Sequence, residues 1–269
     1  MSTDLSPVID ESSLRLICRP YWNIWAALHW GYRKHACVLW ACAGRISPDL
    51  AYKALGIDGI FPVDVVVFYR ELVTQLTPEK QLAQMVVDAM SQGERKHMKR
   101  FFAGKQVFEA GNNRRTIDQL INEVFVPNYL PRLRESDDSK DARVADARNF
   151  SEGLRRTIVM RSDDPPLHQS KTPLILISEE CPQLIETIPA LESDRDKHPE
   201  DTKMVDNEQD SIWEAAKTCY REYPNIIGAL PGYVKRQMAI EKGITPTQRF
   251  LNAIEYDHRN RSRRIVRRR

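Results

Sequence analysis

The sequence predicts an α/β fold: a mixed sheet with helices on its faces. Three observations lead there. Three apolar, aromatic or β-branched runs, Tyr21–His29, Ala36–Ala43 and Val63–Glu71, come before any helical pattern. Helical stripes then alternate with shorter strand-like runs. A last apolar run, Leu174–Ser178, leads into an acid-rich stretch and a closing helix. Sequential strands followed by alternating elements argue for a mixed sheet covered by helices.

Taken in order, residues 1–19 read as a polar lead-in. Tyr21–His29 and Ala36–Ala43 flank a short connection containing Gly31, which suggests a hairpin. Four of the five tryptophans lie between positions 22 and 40, so this hairpin belongs to the core. Gly44 to Pro62 reads as a long loop before the third strand, Val63–Glu71. Thr77-Pro78-Glu79 has the composition of a helix start: a capping hydroxyl, a proline at the first helical position and an acid in the first turn. Leu82, Met85, Val86, Ala89 and Met90 follow at helical spacing. Lys105–Glu109 reads as a short fourth strand ending in an acid, before the turn cluster Gly111-Asn112-Asn113. Ile117, Leu120, Ile121, Val124 and Phe125 then repeat the helical stripe. Residues 137–163, charged and sparse in apolar positions, read as a peripheral surface helix. Leu174–Ser178 is the next strand and Asn207–Tyr223 the next helix. Residues 230–269 form a separate arm, helical in part. These boundaries give a lead-in (1–19), a main domain (20–229) and an arm with an arginine-rich tail (230–269).

Composition narrows the functional classes. With 269 residues, 42% hydrophobic and 29% charged, the chain reads as a soluble globular protein. No apolar run approaches the roughly 20 residues a membrane helix needs, so no membrane partner is expected. The N-terminus lacks the basic-then-apolar pattern of a signal peptide. Five cysteines (18, 37, 42, 181 and 219) show no C-x-x-C spacing, which argues against zinc and for reduced thiols in a cytoplasm. The net charge is only +3, but the last eleven residues carry seven arginines. That tail suits a polyanion such as DNA, or serves as a solubilising terminus.

Acids cluster in the opposite sense between Glu192 and Glu214. Such a cluster past a buried strand can collect hard dications, which prefer oxygen ligands, or it can be a solvated loop. Asp206 and Asp210 stand four apart, so a helix starting there places both on one face. Asp206 could equally be a helix cap.

In the order of its motifs the chain resembles the nuclease domain of the large terminase subunit of tailed phages. The motifs are Leu28-His29-Trp30-Gly31, Tyr69-Arg70-Glu71 with Thr77-Pro-Glu79, Val107-Phe108-Glu109, Cys181-Pro-Gln-Leu-Ile185, Pro199-Glu200-Asp201 and Asp206-Asn-Glu-Gln-Asp210. They span about residues 20 to 225. The resemblance implies an RNase H-like sheet of three antiparallel strands followed by parallel ones. It also implies a DNA endonuclease that cuts concatemers during genome packaging, with two Mg²⁺ or Mn²⁺ ions at a carboxylate site. By the same resemblance Glu109, Asp210 and Asp206 hold metal, and position 29 provides the first acid. Arg114, Arg115 and the tail arginines, among them Arg263, Arg264, Arg267, Arg268 and Arg269, meet phosphates of double-stranded DNA. A separate terminase ATPase, a small terminase or a portal protein would be the partner in a host cytoplasm.

The chain departs from this pattern at two points. The family has aspartate where this chain has His29, and imidazole is a poor Mg²⁺ ligand that suits Mn²⁺ better. His29 is also open to reading as a buried structural histidine. Gly104-Lys105-Gln106 lacks the remainder of a phosphate-binding P-loop, so no ATPase motor of that kind is expected. The sequence therefore leaves two readings, a metal-dependent nuclease or a degenerate nuclease fold that only binds DNA or a packaging partner.

Overall fold

Among the described residues, one strand of the main sheet runs against the others. The computed structural model describes residues 7–18, 22–31, 35–57, 62–109, 115–136, 140–160, 173–190, 192–193, 202–203 and 207–223. All of them belong to the first of two units, which divide between Ala229 and Leu230. The C-terminal arm and its arginine tail lie outside the described residues.

In chain order the elements begin with β1 (Val8–Ile9), α1 (Glu11–Ile17), β2 (Asn23–Trp30), β3 (His35–Ile46), α2 (Pro48–Leu55) and β4 (Val63–Gln75). Next come α3 (Glu79–Asp88), α4 (Gln92–His97), β5 (Met98–Ala103), α5 (Ile117–Phe125), β6 (Leu133–Glu135) and α6 (Lys140–Met160). The described chain closes with β7 (Leu174–Ser178), α7 (Pro182–Ala190), the small pair β8 (Glu192–Ser193) and β9 (Thr202–Lys203), and α8 (Asn207–Arg221).

Seven strands form the main sheet in the order β1-β7-β4-β3-β2-β5-β6. β3 pairs antiparallel with both β2 and β4, while β5, β6, β7 and β1 join in parallel. Three antiparallel strands with β5 and β6 added in parallel beside the first are the RNase H-like arrangement expected from the motif order, while β7 and β1 add in parallel beside the third.

One sheet face packs against α6, α7 and α8. Trp25, Ala27, Leu39, Phe68, Phe102 and Ile175 meet Phe150, Leu184, Ile212, Trp213 and Tyr220 there. The indole of Trp25 donates to the carbonyl of Cys219 at 2.8 Å, so the buried N–H does not go unsatisfied. The other face has two patches. α3 and α5 bring Leu82, Val86, Ile121 and Phe125 onto Trp40, Phe101 and Leu133, while α1 and α2 cover Val65, Val67, Leu174 and Leu176.

Several expectations need correction. The lead-in is not merely polar: β1 extends the sheet beside β7, and Asp10 caps α1 by accepting from the Ser13 amide at 2.9 Å. The loop expected from Gly44 to Pro62 holds the end of β3 and the whole of α2. That helix starts on the Ser47 cap with Pro48 in its first turn, and ends at Gly56 in a left-handed conformation (φ 67°). Thr77 does not cap α3; its hydroxyl donates back to Gln75 O at 3.2 Å, and Pro78 occupies the cap position. The fourth strand of the RNase H-like core is β5, not Lys105–Glu109, because Met98, Phe101, Phe102 and Ala103 are the residues buried between β2 and β6. Lys105–Val107 is a 3₁₀ turn.

α6 is not peripheral. Phe150 and Thr157 are fully buried, and a Cβ on Gly153 would come within 2.7 Å of Ile175. Thr157 Oγ1 accepts from the Ile175 amide at 2.9 Å, satisfying β7 backbone above the short β1. Part of the acidic stretch expected to be loop forms the β8–β9 pair.

Candidate functional site

Because β2, β4, β5, β6 and β7 run in the same direction, their C-terminal ends share one edge, where β3 begins. In open α/β sheets ligands bind at the carboxyl ends of such strands. Side chains alternate across a strand, so His29 continues the row of Trp25 and Ala27 on the face covered by α8. Leu28 is in register with Ala103. The residue after β5, Gly104, is therefore the neighbour of His29 and continues the row of Phe102 on the same face.

The start of α8 abuts this point. The Gly31 amide donates to His35 O at 2.9 Å, and a Cβ at Gly31 would lie 2.5 Å from that oxygen and 3.4 Å from Ser211 Oγ. Only glycine lets the backbone turn so closely here. Ser211 is buried and directly follows Asp210 on α8, so this part of the helix lies near the end of β2. The side chain of Asp210 and all of Asp206 lie outside the described residues.

Glu109 does not end a strand. It lies past the 3₁₀ turn, is exposed, and pairs with Lys105 Nζ at 3.5 Å. The resemblance calls for an acid at the end of the fourth core strand; β5 ends at Ala103, and Gly104 follows it. His29 and Gly104, neighbours at the ends of β2 and β5, thus offer an imidazole and a hydrogen atom. A pair of hard dications ~3.5–4 Å apart needs converging carboxylates. The described donors do not fit such a pair, and among the described residues no three His, Cys, Asp or Glu are grouped to hold a metal ion.

Of the basic residues expected to meet DNA, Arg115 lies on the surface and pairs with Glu123 at 2.7 Å. Glu123 also binds Lys80 at 2.6 Å, and its carboxyl is held below the usual range, chiefly by the Lys80 hydrogen bond. Arg114, Arg263, Arg264, Arg267, Arg268 and Arg269 lie outside the described residues.

Two acids near this edge have structural work that the sequence did not reveal. Glu71 lies on β4, one alternation step before the row of His29, because it pairs with Leu39, which pairs with Ala27. Its two carboxylate oxygens accept from the amides of Gln183 at 2.8 Å and Leu184 at 3.0 Å. A strand residue over a hundred positions away thus caps α7, satisfying orphan N–H groups at the positive end of the helix dipole. Glu222 is buried and accepts from Ser136 Oγ at 3.1 Å, while Arg221 donates to the same oxygen at 3.2 Å. The Ser136 amide donates to Ala103 O at 3.0 Å, tying the end of α8 to the ends of β5 and β6. The motif Tyr69-Arg70-Glu71 marked the first acid without disclosing its role. Glu222 left no signal, since its partner is 86 residues away.

No family profile matches the chain, and no curated protein matches it in sequence. Among solved structures it is similar to the P22 large terminase nuclease domain, with 10% identity and a TM-score of 0.45, covering 81% of this chain and 88% of that one. It is also similar to the large terminase from a thermophilic bacteriophage, with 10% identity, a TM-score of 0.43 and 86% of this chain covered. The ADP complex of that terminase gives 10% identity, a TM-score of 0.44 and 84% coverage. The chain spans 44% of the thermophilic phage protein, less than half its length. Among the described residues no helix is long and apolar enough to cross a membrane.

Proposed function

We propose that this chain is a terminase-type, RNase H-like nuclease fold that binds double-stranded DNA in genome packaging without cutting it. The observation that supports this reading is the register of Leu28 with Ala103, from which His29 and Gly104 follow as neighbours; the reading takes these two as the positions where metal-binding acids would be needed. Replacing two carboxylates by an imidazole and a hydrogen removes the negative charge that would hold two dications. DNA binding does not depend on that charge. It draws on basic residues that neutralise phosphates, here the arginine-rich tail of a chain with a sequence pI near 8.5. A separate ATPase, a small terminase or a portal protein would be its packaging partner.

The closeness of Ser211 to Gly31, where an added Cβ would lie 3.4 Å from Ser211 Oγ, favours a second reading, because Ser211 directly follows Asp210 on α8. Glu109 and Asp210, with Asp206 assisting and His29 in the first-acid position, would then hold Mn²⁺ for hydrolysis of the phosphodiester. Supercoiled plasmid incubated with Mg²⁺ or Mn²⁺, alongside a duplex-binding titration, separates the two. The proposal expects binding with no nicked product. Mn²⁺-dependent nicking that disappears in Asp210→Ala establishes the nuclease instead.

A further inference from the structure

Beyond the tail, a second cluster of positive charge lies on the outer part of the sheet. Two short segments supply it: Arg95-Lys-His-Met-Lys-Arg100, entering β5, and Arg132-Leu-Arg-Glu135, forming β6. The parallel register pairs Phe101 with Leu133 and Phe102 with Arg134, which places Arg100 beside Arg132. Leu133 is buried against α5 on one face, so its neighbours Arg132 and Arg134 belong to the other. Arg100 pairs with Trp25 and shares that second face, the one carrying α8.

Arg132 and Arg134 are exposed and Arg100 is half-exposed. Among the described residues none of the three makes an ion pair. Lys96 and Lys99 beside them are exposed as well. The carboxylates close by are otherwise placed: Glu94 pairs with Arg70 at 3.0 Å, Glu222 is held by Ser136, and Glu135 lies on the face of Leu133. Like charges on neighbouring strands repel, so this grouping is unfavourable unless an anion meets it.

Charge on an edge strand can serve only to blunt pairing with other sheets. That purpose accounts for Arg132 and Arg134 but not for Arg100, because β5 has a neighbour on both sides. We infer that Arg100, Arg132 and Arg134 form a docking row for the phosphate backbone of duplex DNA, leading toward the strand ends at Gly104 and His29. This inference rests on the DNA-binding reading above and locates its contact surface.

The dimensions agree. Residues two apart on a strand are separated by about 6.6 Å, and adjacent strands by about 4.8 Å. Each strand of a duplex carries one charge per about 3.4 Å of axis, so Arg132 and Arg134 span the rise of about two phosphates. Guanidinium forks engage phosphate oxygens in pairs, which a lysine ammonium does not. The row also ends beside Ser136, whose amide is bonded to Ala103 O.

The test uses the full chain, a short labelled DNA duplex and fluorescence anisotropy over a range of salt concentrations. The triple variant Arg100→Gln/Arg132→Gln/Arg134→Gln should lower the slope of log affinity against log salt by about 2.7, at about 0.9 per phosphate no longer neutralised. Arg100→Lys/Arg132→Lys/Arg134→Lys should keep most of that slope, which a purely structural role for the arginines would not predict. If the triple glutamine variant fails to fold, Arg134→Gln alone should lower the slope by about 0.9. An unchanged slope in the folded glutamine variants overturns the docking row while leaving DNA binding intact. Tighter binding of single-stranded RNA than of duplex overturns the choice of occupant. A wild-type chain that binds no duplex at all overturns the proposed function and this inference together.

Discussion

At the β4–β7 end of the strand edge, Glu71 serves the fold. At the β2–β5 end, His29 and Gly104 lie side by side. Glu71 projects from β4 to the first turn of α7 and accepts two backbone amides. One alternation step further along the same face, His29 lies beside the residue that follows β5. An acid near a strand end is therefore not a metal ligand by position alone. What decides its role is whether orphan N–H groups or other carboxylates surround it.

The largest expected effect tests the packing beneath the first end. Phe150 is fully buried and meets Phe68, Trp213 and Tyr220 at ring-centroid distances of 5.8, 5.1 and 5.5 Å. Phe150→Ala should lower unfolding free energy by about 3–5 kcal/mol in a urea titration. A loss below about 1 kcal/mol would return α6 to the role of a surface helix.

A smaller effect tests the cap itself. Glu71→Ala leaves two amides of α7 without their acceptor and should destabilise the chain by about 1–3 kcal/mol. Glu71→Gln keeps one acceptor oxygen and should lose less. Equal losses would mean that packing, not the carboxylate, fixes this corner.

The smallest effect is chemical. Burial, with the Glu71 carboxylate as a secondary cause, pushes the Cys181 thiol well above its ordinary range. At pH 8 it stays protonated and should resist iodoacetamide until the chain is unfolded, as peptide mass spectrometry can establish. Rapid labelling of Cys181 in the native chain would show that the α7 corner opens to solvent.

The centre of the sheet was legible because its signal is dense. β2, β3 and β4 are long runs of aromatic and β-branched residues, and the stripes of α3 and α5 repeat at helical spacing. The outer strands were not. In β5, Lys99 sits at an irregularity between Ile24 and Trp25 of its neighbour, and Arg100 breaks the apolar pattern. Lys105–Glu109 consequently read as the strand, and Glu109 as its terminal acid. β1 and β6, with two and three residues, are too short to show a period. α6 concealed its contacts because Gly153 and Thr157 meet β7 through close approach and a hydroxyl, neither of which registers as hydropathy.

His29 could be read at once as a departure from the family pattern. Its neighbour Gly104 could not, because finding it requires the register of β5. The link between Glu71 and α7 depends in the same way on the fold, since the pattern of either segment alone shows no partner.

The comparison between the two ends is tested most directly by restoring the missing acids. Gly104 has an ordinary backbone (φ −65°), and the atoms nearest to a Cβ there belong to the end of the Gln106 side chain, at 2.5 Å, which can swing aside. His29→Asp/Gly104→Asp is therefore expected to fold. In a plasmid assay with Mn²⁺ the wild-type chain should leave supercoiled DNA intact. The double variant should nick it, and adding Asp210→Ala should abolish that activity. Nicking by the wild-type chain at the rate of the double variant would show that a working metal site exists without those two carboxylates.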